Sequence, residues 1–167
     1  MTQHASLRRI AVIVSAFELF RVGPGPSSMH VVGPHRAARR FLHELAADGM
    51  LPDVGRVEVE LFGGLAFSGR DRGTDRAIIA GLAGMPAEQC DTGAMARCAS
   101  HVETEGKLSL GGGPSIGFVQ QRDMRFVIDR AVAFDGNAMR FIARDTYDDV
   151  LATRVYFSTG NGHIRGE

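Results

Sequence analysis

The chain has no net charge, no long apolar run and almost no cysteine. Nineteen Lys and Arg balance nineteen Asp and Glu over 167 residues. Beyond Arg36, Arg39 and Arg40 no basic block stands out, so nothing draws the chain electrostatically to nucleic acid. The longest apolar run near the start, Ile10 to Val14, is far too short to span a bilayer, and no small-residue cleavage site follows a basic stretch and apolar core. These absences lead us to expect a cytoplasmic chain that meets a small molecule or another protein. The two cysteines, Cys90 and Cys98, cannot alone complete a four-ligand zinc or iron–sulfur site, and they read as ordinary reduced thiols. There is no Ser/His/Asp, zinc or Walker pattern of convincing spacing, and no internal repeat, coiled coil or low-complexity tract. The length suits one domain, residues 1–167, around a single core.

What is present begins with a short extended stretch, Ile10 to Val14, leading into Ser15-Ala16-Phe17-Glu18, which has the spacing of a helix capping box. A short helix through Phe20 should follow and be broken by Gly23-Pro24-Gly25-Pro26. After Ser27 and Ser28 a longer helix is expected, because Ala38, Phe41, Leu42 and Leu45 recur at helical spacing and Gly49 supplies a stop. Arg56 to Leu61 alternates apolar with polar residues, the mark of a strand with one wet face. Thr74-Asp75 opens a second helix, Arg76 to about Leu82, ended by Gly84. From Met85 to Asp123 only Ile116 to Val119 hints at a strand, Gly111-Gly112-Gly113-Pro114 is irregular, and a lid over a substrate is compatible with such a segment. Arg125 to Ile128, Met139 to Ala143 and Thr153 to Phe157 read as strands, the last two joined by a hairpin at Asp145 to Asp149. The order of elements predicts an α+β fold, a mainly antiparallel sheet covered by helices.

The stretch from Gly23 to His30 carries the most chemistry. It places a rigid Gly/Pro turn, the hydroxyls of Ser27 and Ser28, and the His30 imidazole at the mouth of a helix. Free N–H groups and the positive dipole end there suit a carboxylate or phosphate, although Ser27 or Ser28 could equally cap the helix. His30 could bind substrate or move a proton near neutral pH, or be a hydrogen-bonded helix residue. Thr74 and Asp75 either cap their helix or present a carboxylate to an amine, and Asn137 reads as a turn residue. Residue chemistry alone therefore reaches a helix-mouth anion site.

The same residues carry a resemblance. Phe17-Glu18-Leu19-Phe20 before Gly25-Pro26-Ser27-Ser28, then His30, Gly33-Pro34, Gly73-Thr74-Asp75, Asn137 with Met139, and Tyr156-Phe157-Ser158 before Gly160 and Gly162 make the chain similar to the β chain, or N-terminal domain, of bacterial iron–sulfur L-serine dehydratases. The resemblance implies removal of water from a β-hydroxy amino acid, serine in the family, giving pyruvate and ammonia. It also implies a four-iron four-sulfur cluster carried by an α chain or C-terminal domain, where an open iron acts as Lewis acid on the leaving hydroxyl. On this footing the chain binds no cluster itself, is inactive alone, and needs the cluster-bearing partner; a homo-oligomer is also compatible. Ser27, Ser28, Thr74, Asp75 and Asn137 are expected to bind or shape the substrate site, with His30 catalytic. By analogy, the fold should resemble the allosteric substrate-binding domain of phosphoglycerate dehydrogenases.

Several positions depart from that pattern. Met29 and Val31 stand where the family carries hydroxyls, Arg72 where it carries a histidine before Gly-Thr-Asp, and Asp135-Gly136-Asn137-Ala138-Met139 where it has His-Pro-Asn-Gly-Met, while Asn161 interrupts the closing glycines. If Met29 and Val31 face the pocket, the substrate should carry more apolar bulk than serine; if they face the core, the changes bear on stability instead. Two other readings stand beside the dehydratase subunit: an amino-acid-sensing regulatory module without catalysis, and a subunit acting on a different β-hydroxy amino acid.

Overall fold

The computed structural model describes residues 29–128 and 136–167. The extended stretch at Ile10, the capping box, the Gly/Pro turn and both Ser27 and Ser28 lie outside the described residues. The described part is α+β, as expected. Helix α1 (Val32–Ala47) leads into strand β1 (Arg56–Leu61), followed by α2 (Gly64–Arg72), α3 (Thr74–Leu82) and α4 (Thr92–Glu105). A small hairpin, β2 (Lys107–Ser109) and β3 (Ser115–Gly117), precedes the short α5 (Gln120–Asp123) and strand β4 (Met124–Phe126). Strands β5 (Ala138–Arg144), β6 (Val150–Ser158) and β7 (Ile164–Gly166) complete the chain. The main sheet runs β4-β1-β5-β6-β7. It is mixed: β4 lies parallel to β1, and the other three pairings are antiparallel.

Alternation along the strands decides what each face of the sheet holds. Val57, Val59 and Leu61 of β1 point to one side with Met139, Phe141 and Ala143, their register partners on β5. There α1 supplies Phe41 and Leu45; the Phe41 and Phe141 rings lie 5.2 Å apart, and Phe141 meets Tyr156 edge-on at 5.7 Å. Helix α3 packs on α1 closely enough that a Cβ on Gly81 would fall 2.6 Å from the His35 carbonyl oxygen.

The opposite face was expected to be wet, and it is not. Glu58 and Glu60 are only 8% and 5% exposed. Arginines from neighbouring strands cover them: Arg144 and Arg125 reach Glu58, while Arg140 and Arg125 reach Glu60. Nearby, Arg56 Nε donates to Asp123 at 3.0 Å. Burial alone would raise the Asp123 carboxyl, but bonds from Arg122, the Val119 N–H and Arg56 outweigh it and hold the group below its ordinary range. A carboxylate surrounded by guanidinium stems loses its water without becoming unpaired, which is why the period-two pattern misjudged this side.

Helices α1 and α3 and strands β4, β5 and β6 fall close to where the sequence pattern placed them, whereas α2 and β7 stand where no element was expected. α1 ends ahead of Gly49 at φ +72, and the Asp145 hairpin closes through the Asp145 carboxylate, which accepts from the Tyr147 and Asp149 N–H groups. The segment from Met85 to Asp123, left without firm elements, contains α4 and the β2–β3 hairpin, with Gly111 and Gly112 in its turn at positive φ.

Candidate functional site

Residues far apart in sequence meet at the turn that leads into α1. The N-cap of that helix is Val31, with no side chain capping it, so His30 sits in the turn before the helix rather than within it. His30 is 4% exposed, and its Nε2 lies 3.0 Å from the Ser68 hydroxyl on α2. That hydroxyl already donates to the Gly64 carbonyl at 3.1 Å. Desolvation pulls the His30 pKa below its ordinary value, the bond to the Gly64 backbone pulls the other way, and the Arg72 cation lowers it further. Burial and the Arg72 charge thus both disfavour the protonated ring.

The backbone of the same turn is pinned from two sides. The Thr74 hydroxyl donates to the His30 carbonyl at 2.7 Å. Across the site, the Ser158 hydroxyl at the end of β6 donates to the Met29 carbonyl, also at 2.7 Å. Gly33 makes the second bond possible, since a Cβ there would lie 2.1 Å from Ser158 Oγ. Asn137, which follows Gly136 at φ +108, donates its side-chain amide to the Met29 sulfur and accepts from the Ser158 N–H through its backbone carbonyl. The sheet end and two helices thereby fix one short turn.

Of the residues singled out from sequence, His30, Thr74 and Asn137 come together here. Asp75 is engaged elsewhere: its carboxylate accepts from the Arg76 N–H and from the Gln120 amide at 2.8 Å, joining α3 to α5. Thr74 does not cap α3, whose N-cap is Gly73 in the left-handed region. Val31 is 3% exposed and belongs to an apolar cluster with Ala77, Ala80, Cys90 and Met95, so it faces the core. Met29 faces Asn137. Ser68 has no counterpart among the residues singled out from sequence; its only signal was a hydroxyl one helical turn after the Gly63-Gly64 pair.

Neither cysteine is arranged for a metal. Cys90 is buried with Sγ 3.0 Å from His35 Nε2, and burial pushes its thiol up to about 11. Burial also raises the Cys98 thiol. Among the described residues no group of three or more His, Cys, Asp or Glu is placed to hold a metal ion, and no helix is long and apolar enough to cross a membrane. On the other side of α2 an open concavity of about 820 Å³ is lined by Phe67, Arg70, Phe126 and Ile128 among others; it does not include His30.

Comparison with known proteins bears on this arrangement. A family model described as serine dehydratase beta chain matches residues 15–167. The chain is 35% identical to an L-serine dehydratase of Streptomyces coelicolor over 154 residues, covering 92% of this chain and 34% of that protein. It is 35% identical to L-serine dehydratase 2 of Escherichia coli K12 over 162 residues, 93% of this chain and 34% of the relative. Against an L-serine dehydratase of Mycobacterium bovis the identity is 38% over 151 residues, 90% of this chain and 32% of the relative. The chain thus spans about a third of the length of the curated relatives it matches.

Proposed function

The chain belongs to the serine dehydratase beta chain family, and from that premise we propose that it is the smaller half of an iron–sulfur-dependent dehydratase that removes water from a β-hydroxy amino acid. The observation that carries this reading is the convergence on the Met29-His30 turn of Ser68 and Thr74, which contact His30, and of Asn137 and Ser158, which contact Met29, drawn from α2, α3 and the sheet end. The donor set of this chain does not fit a cluster: it has two cysteines, and Cys90, whose thiol is pushed up to about 11, is engaged with His35. On this reading the cluster would sit in a partner chain or in a further domain such as the relatives' other two thirds could supply. His30 would position the substrate or accept a proton, with burial and Arg72 lowering its pKa. Thr74, Ser158 and Asn137 would keep the His30 turn in place, and Ser27 and Ser28 would hold the substrate carboxylate. The core position of Val31 removes half of the argument for a bulkier apolar substrate, so serine is the first substrate to test.

Co-expression with a cluster-bearing chain from the same genome should give a stable complex in the cytoplasm with serine ammonia-lyase activity. The isolated chain should bind no iron and show no such activity. Stoichiometric iron with a cluster absorption spectrum in the isolated chain would overturn the division of labour, and failure of two folded chains to associate would overturn the subunit reading.

A further inference from the structure

We infer that Arg72 is a carboxylate-recognising residue at the edge of the His30 site, and that it determines which amino acids the site accepts. Helix α2 carries Gly64, Ser68 and Arg72 at four-residue intervals, the spacing that stacks positions along one helix face. The first two members of that stripe engage the imidazole: Ser68 contacts His30 Nε2 and is itself tied to the Gly64 carbonyl. Arg72 continues the stripe by one turn. Gly73, at φ +82, then swings the chain straight into Thr74, whose hydroxyl holds the His30 carbonyl. The backbone on both sides of Arg72 is thereby anchored to the turn that bears the imidazole. Its positive charge works against protonation of that ring.

Arg72 is exposed, and among the described residues no hydrogen bond or ion pair engages its guanidinium. Arg70, two residues earlier, instead lies over the Phe126 ring at 4.8 Å. A guanidinium on an anchored helix end, one turn beyond the hydroxyl that contacts the His30 imidazole, is suited to a planar carboxylate taken by two parallel N–H bonds. The carboxylate could be the α-carboxylate of any β-hydroxy amino acid or a second one on the β-carbon, as in 3-hydroxyaspartate. The reaction attached to this site rests on the dehydratase reading above; the binding does not.

Two measurements test it. In the complex with the cluster-bearing chain, Arg72→Gln should raise KM for L-serine, 3-hydroxyaspartate or both by about tenfold or more, the loss expected for a hydrogen bond to a charged group, with kcat moved by less than about threefold. An effect on both amino acids assigns the α-carboxylate, an effect confined to 3-hydroxyaspartate assigns the second, and Arg72→Lys should recover only part of the loss because it keeps the charge but not the fork. Independently of any reaction, the His30 ring resonances of the isolated chain should shift saturably on titration with one of the two amino acids, and Arg72→Gln should weaken that binding by about tenfold. An active complex whose KM values ignore Arg72→Gln for both substrates overturns the assignment and leaves the dehydratase reading intact. Arg72-dependent binding in a chain whose complex has no lyase activity does the reverse. Absence of binding, or equal binding in wild type and Arg72→Gln, also overturns the assignment.

Discussion

His30 and His35 stand five residues apart, each is 4% exposed, and burial lowers the pKa of both. Their neighbours are nonetheless of different kinds. His30 rests on the Ser68 hydroxyl, with Thr74 and Ser158 fixing the backbone around it. His35 is inside α1, where its Nε2 meets the Met85 carbonyl at 2.9 Å and the Cys90 thiol at 3.0 Å. The second arrangement staples α1 to the loop after α3, and Arg39, Arg36 and Glu88 act on the ring only through their charges. Burial and a depressed pKa do not by themselves mark a functional histidine; the groups around it decide.

The comparison breaks if the two residues respond alike to truncation. His35→Ala should cost about 2–4 kcal/mol in urea unfolding, because it opens a cavity and leaves a buried carbonyl and thiol without their partner. His30→Ala should cost less in stability, about 1–2 kcal/mol, yet abolish the activity of the reconstituted complex. Gly33→Ala sits between the two histidines and bears on both. With the new Cβ driven against Ser158 Oγ, it should destabilise by about 1–3 kcal/mol and move the ring resonances of His30 more than those of His35.

Removing one hydroxyl sharpens the contrast further. Thr74→Val and Ser158→Ala should each cost about 1 kcal/mol and lower kcat, with the His35 resonances unchanged. The smallest effect is that of pH. Both folded-state histidines have pKa values below the unfolded value, so as pH falls through that unfolded value the unfolded chain takes up protons first, and stability falls with it. Thermal unfolding should therefore show a lower Tm at pH 5.5 than at pH 7.5, and His35→Gln should shrink the difference. A Tm that rises on acidification would contradict the lowered pKa values of the two rings.

How much of this was legible in the sequence varied by element. Helix α1 announced itself through Ala38, Phe41, Leu42 and Leu45, all of them buried against the sheet or α3. Helix α4 did not, because only Met95, Ala99 and Val102 of its fourteen residues are buried, a stripe too thin to rise above its surroundings. Its end signals were present: the Asp91 carboxylate accepts from the Ala94 N–H, and Gly106 closes it at φ +64. In the site, His30, Thr74 and Asn137 could be singled out as residue types at helix and turn boundaries. That Thr74 and Ser158 would act on backbone carbonyls of the His30 turn was not readable, since those bonds span 44 and 129 residues. Asp75 misled because the sequence does not show Gln120 arriving beside it.

The arginine-covered carboxylates of β1 also bear on how the sheet finds its alignment. Sliding β1 by one residue against β5 would turn Glu58 and Glu60 into the layer now filled by Phe41 and Phe141, and would set Val57 and Val59 among guanidinium groups. Two unpaired charges in an apolar layer would be far costlier than the loss of a few contacts. β4 has only three residues with which to hold its place, but it is aligned by Arg125 against both glutamates. The ionic side of the sheet thus acts as a vernier, admitting one setting of three strands and rejecting its neighbours.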